Sequence, residues 1–281
     1  MLMKANKITS CYIGPKISPE QFIGEHFFVY LAKGTIHGYD GHKNYTLKAG
    51  ECCLVRKNHL ARYNKQKEDG QFEKVIVIFD EVFLRSFLRK HEAPATKSSS
   101  QEAFLAIREN ELIPHFISSL LPYYNGSAKI DNKFADVKRE ELLLILLHTT
   151  PELANVLFDF GSPEKIDLEA FMNQNFKFNV AIQRFAYLTG RSLTSFKQDF
   201  KRTFDDTPSR WLINKRLREA HFLMDKKGLR ASDVYLEVGF EDLSHFSFAF
   251  KKLFGFTPTQ LSDKTKIAEV AHLVERQLPK L

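Results

Sequence analysis

One short unit occurs twice in this chain at a fixed distance, and no other feature restricts its fold as much. The first copy reads Phe200-Lys201-Arg202-Thr203-Phe204 and then Thr207-Pro208; the second reads Phe250-Lys251-Lys252-Leu253-Phe254 and then Thr257-Pro258. The offset is 50 residues, and Phe196 and Phe246 keep it further upstream. Gly190 and Gly239 are offset by 49, so the second copy has one extra residue in its turn. A fixed period marks a repeated structural unit, and two copies are too few for a solenoid. The stretch reads as two related modules within one domain.

Each copy has the grammar of a helix-turn-helix. In the first, Ile182, Phe185 and Leu188 share one helical face, and Thr189-Gly190 ends that helix because glycine accepts the left-handed turn conformation. Ser192 supplies an N-cap hydroxyl for the next helix. The spacing of Leu193, Phe196, Phe200 and Phe204 predicts that helix over 193–204. Its opposite face carries Thr194, Lys197, Gln198, Lys201 and Arg202. Glutamine forks onto adenine, lysine reaches guanine O6 and N7, and flanking cations neutralise phosphate, so this face has what major-groove reading needs. A single helix of this kind reads equally well as solvated surface.

The second copy tips that balance. A short helix from Ala231 ends at Gly239, and a second candidate recognition helix from Glu241 to Phe254 is stopped by Gly255, with Asp242 placed to cap its first turn. Between the modules, Pro208 opens a helix to about Lys226 with Trp211, Leu212, Leu217, Ala220, Leu223 and Met224 as an apolar stripe. Such a helix spans roughly 27 Å. Two recognition helices reading one face of a duplex sit about 34 Å apart, which a rigid spacer of this length serves.

On these residues, 167–263 resembles the DNA-binding domain of the AraC/XylS family of transcriptional regulators. The resemblance is carried by Val238-Gly239-Phe240, Ser244-His245-Phe246, Phe250-Lys251-Lys252, Phe254-Gly255 and Thr257-Pro258, with Pro208, Trp211, Arg216, Ala220 and Leu223 in the linking helix. It implies base readout by Thr194, Lys197 and Gln198 from the first recognition helix and by Ser244, Ser247 and Phe248 from the second. It implies contact to the DNA backbone by Arg191, Ser192, Lys201, Arg202, His245, Lys251 and Lys252. Phe248 departs from the family, which usually has Arg there. An aromatic touches a thymine methyl but does not fork onto guanine, so the second helix is expected to anchor more and discriminate less.

The formal net charge of +7 fits a polyanionic partner. Residues 1–80 read as short strands: Gln21–Ala32, a hairpin signalled by Asp40-Gly41, Cys52–Val55, and Phe72–Phe79 with Val75, Val77 and Phe79 on one face and Ile76 and Ile78 on the other. Short strands between glycine turns predict a small barrel or jelly roll. This half is similar to the cupin-like sensor domains of many AraC-type regulators, best over Leu47–Val55. It is more loosely similar to the type III secretion activator branch, including Lys7-Ile8-Thr9-Ser10-Cys11. Helices are expected over 81–90, over 102–124 with a break near Pro114, over 130–148 and over 149–160, with a loop over 91–101. The apolar face of the third holds Phe134, Val137, Leu142, Leu143, Ile145 and Leu146, and in relatives such helices form the dimer interface.

Metal-dependent cupins hold their ion with a His-x-His cluster and a downstream Glu. His26, His37, His42 and His59 are scattered, so no metal is expected. Cys11, Cys52 and Cys53 have no metal-ligand spacing and read as reduced thiols, Cys52 and Cys53 on opposite faces of a strand. No nucleophile elbow, P-loop or dinucleotide fingerprint is present.

The expectation is an α+β chain. A small cupin-like β-barrel with flanking helices occupies 1–160, a hinge 161–166, an all-α domain of two helix-turn-helix units joined by a long helix 167–263, and a polar tail 264–281. It is read as a cytoplasmic, sequence-specific transcription regulator, an activator by analogy, that is neither an enzyme nor cofactor-dependent. Its expected partners are double-stranded DNA, a small-molecule or protein effector at the N-terminal half, RNA polymerase and a second copy of itself, with no membrane. The alternative is a cupin-type metal enzyme with an appended DNA-binding domain, recognisable by its bound ion.

Overall fold

The computed structural model describes residues 11–13, 21–91, 102–123 and 130–261. The chain divides between Pro163 and Glu164 into two units. In the first, the strands are β1 (Cys11–Ile13), β2 (Phe22–Ile23), β3 (His26–Lys33), β4 (Thr35–Tyr39), β5 (Asn44–Lys48), β6 (Cys52–Val55), β7 (His59–Leu60), β8 (Arg62–Gln66), β9 (Glu73–Phe79) and β10 (Phe104–Ala106). The helices are α1 (Glu81–His91), α2 (Leu112–Ser119), α3 (Asn132–Thr149) and the single turn α4 (Ala154–Leu157).

The main sheet runs in the order β1-β9-β3-β6-β10, with β1 parallel to β9 and the other pairs antiparallel. A second sheet runs β5-β4-β8, and β2 pairs with β7. The expected barrel does not close. The main sheet ends in two three-residue edge strands, β1 and β10, that do not pair with each other. The physical reason is that this sheet is buried on both faces. Phe28, Leu54, Val75, Val77 and Phe79 pack against Leu84, Phe87, Phe116, Leu142 and Leu146 of the helices. Phe27, Val29, Val55, Ile76 and Ile78 face the other way, against Ile36 and Leu47 of the small sheet. A barrel offers one interior; helix, sheet and sheet stacked in layers give this chain two. The alternation read along Phe72–Phe79 is therefore present, with both of its faces apolar cores.

The hairpin at Asp40-Gly41 joins β4 to β5, and Asp40 Oδ1 accepts from the backbone N–H groups of His42 and Lys43 at 2.9 Å each. Three helix expectations fail. Phe104–Ala106 is not helical, because it pairs with Cys53–Val55 at the edge of the sheet. Pro114 breaks nothing, because it lies in the first turn of α2, where the backbone N–H has no helical partner. The segment after α3 is a 3-10 turn, Pro151–Leu153, followed by α4 rather than one helix. The loop expected over 91–101 lies almost wholly outside the described residues, as do the early 7–11 segment except its last residue and the tail over 264–281.

His26 is buried, with Nδ1 accepting from the Lys57 N–H at 3.2 Å. His37 sits on the outer face of the small sheet, within 3.3 Å of Thr46 Oγ1 and 3.2 Å of Gln66 Oε1. Among the described residues no three His, Cys, Asp or Glu side chains gather as a metal set. Burial pushes the Cys52 and Cys53 thiols up to about 12. No described helix is long and apolar enough to cross a membrane.

The second unit is helical: α5 (Leu168–Asn175), α6 (Ile182–Leu188), α7 (Leu193–Phe204), α8 (Pro208–Lys227), α9 (Ala231–Glu237) and α10 (Leu243–Phe254).

Candidate nucleic-acid interface

Helices α7 and α10 have the same length and the same offset of 50 residues as the sequence repeat, and α6 and α9 the offset of 49. The caps repeat too. Ser192 Oγ accepts from the Ser195 N–H at 3.2 Å, and Asp242 Oδ1 accepts from the His245 N–H at 2.7 Å. Each recognition helix docks an aromatic ladder on α8. Phe204 meets Trp211 with ring centroids 4.6 Å apart, and Phe254 meets His221 at 4.9 Å. The linking helix thus holds the first module near its N-terminus and the second nearer its C-terminus.

Arg216 ties that frame together. It is buried, and among the described residues no carboxylate neutralises it. Its Nε donates to the Phe176 carbonyl at 2.7 Å, one terminal nitrogen to Phe178 O at 2.7 Å and the other to Gly239 O at 3.0 Å. Burial pulls its guanidinium down to about 10, so it stays charged at neutral pH. Through these bonds the entry to the first module and the turn of the second are held by one side chain. The two turns leave no room for a Cβ. At Gly190 (φ +66°) it would lie 2.5 Å from the Glu164 carbonyl oxygen, and at Gly239 (φ +96°) 2.5 Å from the Lys177 carbonyl oxygen.

With the inner faces of α7 and α10 committed to the ladders, their outer faces are open. Thr194, Lys197 and Gln198 are exposed on α7. On α10, Ser244 is exposed, Ser247 is half-buried and Phe248 is 71% exposed. Phe246 and Phe250 of the same helix are buried, so Phe248 is the phenylalanine that α10 turns to solvent. Ser192, Lys201, Arg202, His245, Lys251 and Lys252 are exposed as well.

Arg191, expected at the DNA backbone, is the least exposed of that set. Its side chain is 8% exposed and turns inward, with Nε donating to Asp199 at 3.0 Å and a terminal nitrogen donating to the carbonyls of Ile166 and Thr189 at 2.9 and 2.7 Å. Its hydrogen bonds lock the first turn. Asp199, which sequence reasoning passed over, gathers Arg191, Arg202 at 2.7 Å and Lys165 at 3.6 Å. The hydrogen bond from Arg191 is the main reason its carboxyl stays below the usual range. The readable signal was an acid within a basic helix where the other copy has Ala249.

In the first unit a cavity of about 440 Å³ opens between the two sheets, lined by Val29, Ile36, Leu47 and Phe104, with Lys43 paired to Glu102 beside it.

Residues 26–156 match the family described as the ExsA N-terminal regulatory domain, and residues 185–264 match a helix-turn-helix domain. The virulence regulon transcriptional activator VirF of Yersinia enterocolitica is 25% identical over 244 residues, covering 85% of this chain and 89% of VirF. The HTH-type transcriptional regulator ExsA of Pseudomonas aeruginosa is 24% identical over 267 residues, covering 90% and 92% of the two chains. Among solved structures, an apo ToxT variant from Vibrio cholerae is 14% identical over 91% of this chain and 93% of that one, with a TM-score of 0.42.

Proposed function

Because this chain belongs to the AraC/XylS family of transcriptional regulators, we propose that it activates transcription by laying α7 and α10 into two successive major-groove segments on one face of a duplex. The observation that carries this reading is the structural repeat itself, two capped helices with their inner faces spent on one linking helix and their outer faces open. The linking helix has 20 residues, or about 30 Å, close to the ~34 Å of one duplex turn. Thr194, Lys197 and Gln198 read bases from α7. Phe248 contacts thymine methyls from α10, while Ser244 and Ser247 add adaptable hydrogen bonds.

The N-terminal unit regulates. The cavity between its sheets, apolar with a charged pair at its side, favours a small-molecule effector over a protein partner. Exposed Phe134, Val137 and Leu144 share one face of α3 and support self-association there. RNA polymerase is the downstream partner of an activator. We read the chain as a regulator without catalysis. The metal-enzyme alternative requires a bound ion, which metal analysis of the purified full chain decides.

Selection of bound sequences from a random DNA pool by the full chain, at fixed salt, tests the main reading. Enrichment of a discrete motif is expected. Retention without sequence preference overturns specific regulation.

A further inference from the structure

The two modules differ sharply in charge at corresponding positions. On α7, Lys201 Nζ lies 2.7 Å from Asp205 Oδ1 and also donates to the Asp205 carbonyl at 2.9 Å. Arg202 donates to Asp199 at 2.7 Å. Fifty residues on, Lys251 and Lys252 stand where Lys201 and Arg202 do, but Ala249 replaces Asp199 and Gly255 replaces Asp205. Among the described residues neither Lys251 nor Lys252 has a carboxylate within ion-pair distance. The acids of the second module, Asp233 and Glu237 on α9 and Glu241 and Asp242 after it, all precede α10; Asp233 pairs with Arg230 at 3.1 Å, Glu241 accepts from Asn179 at 2.5 Å and Asp242 caps the helix.

We propose that Asp205 and Asp199 are built-in stand-ins for DNA phosphate, which take the electrostatic load off the first module and leave it on Lys251 and Lys252 of the second. The inference rests on the DNA-binding reading above. When α7 meets DNA, Lys201 and Arg202 exchange a carboxylate for a phosphate. The phosphate releases its counterion, but the freed Asp205 carboxylate takes one up, so that exchange is nearly neutral in ions; Asp199 keeps Arg191 and Lys165 and compensates less. Among the described residues Lys251 and Lys252 have no such partner, and each contributes its full share, about 0.9 in the slope of log K against log[salt]. The first helix then discriminates without non-specific adhesion, and the second holds any sequence.

Asp205 also occupies an unusual backbone position. It caps α7 with φ +50°, where Gly255 caps α10 with φ +81°. A non-glycine in the left-handed region is uncommon. Asparagine accepts it as aspartate does, so Asp205→Asn removes the charge and keeps the cap. Gly255→Asp installs the charge in the second module on a backbone already left-handed.

Binding of the full chain to its selected duplex and to unrelated duplex, titrated over salt, is the experiment, with thermal unfolding to verify that each variant is folded. Asp205→Asn is expected to tighten unrelated-duplex binding about fivefold at low salt and to steepen the salt slope by about one. Gly255→Asp is expected to do the reverse, and Lys251→Ala to flatten the slope by about 0.9 while Lys201→Ala changes it far less. Folded Asp205→Asn protein with unchanged affinity and slope overturns the proposal and leaves the DNA-binding reading standing. Wild-type protein that binds no duplex overturns both.

Discussion

At the scale of single residues, the proposed reading puts the most direct burden of base recognition on Gln198. Gln198→Ala should cost about 1–3 kcal/mol on the selected site and relax one base position, as measured by competition with single-base variants. Equal weakening on every variant contradicts that role. His26 makes a different prediction. Burial first, then Lys57, Arg56 and His59, hold its imidazole well below the ordinary 6.5. The unfolded chain therefore takes the proton more readily than the fold does. The stability this histidine confers is complete above about 6.5 and lost as pH falls below it. Thermal unfolding of the first unit should weaken from pH 7.5 to 5.5, and His26→Leu should flatten that response. Ser192 and Asp242 were legible as caps because capping is local chemistry. Arg191 was not, because its partners Asp199 and Ile166 are brought together only by the fold.

Among the elements, α8 decides whether two modules act as one. Arg216→Met leaves the carbonyls of Phe176, Phe178 and Gly239 without their donor and should destabilise the second unit by about 3 kcal/mol, read from its denaturant midpoint. Arg216→Lys should recover only part of this, since an ammonium lacks the planar fork. Gly239→Ala drives a methyl against the Lys177 carbonyl and should cost about 1–3 kcal/mol by the same measurement. The helices of this unit were readable because the spacing of Phe196, Phe200 and Phe204, and again of Phe246, Phe250 and Phe254, is written within each segment. The first unit was less so. Whether β1 and β10 pair or stay apart, and whether Phe104–Ala106 joins a sheet, depends on residues distant in sequence. Short apolar runs do not record that choice.

At the scale of the whole molecule, an N-terminal regulatory unit is joined to a helix-turn-helix unit in which, on the proposed reading, both recognition helices read bases, α7 more than α10. If α3 forms the contact between copies, Val137→Asp should shift the full chain from dimer to monomer in sedimentation without changing the unfolding of the second unit. An unchanged dimer excludes that face. The central claim is that α7 and α10 read the same duplex one turn apart. Interference footprinting of major-groove base positions, with the full chain on its selected site, tests it most directly. Two patches of interference per bound copy are expected, centred about ten base pairs apart on one face of the duplex, the stronger one belonging to α7. A single patch, with the other turn protected only at its phosphates, contradicts the claim that both helices read sequence.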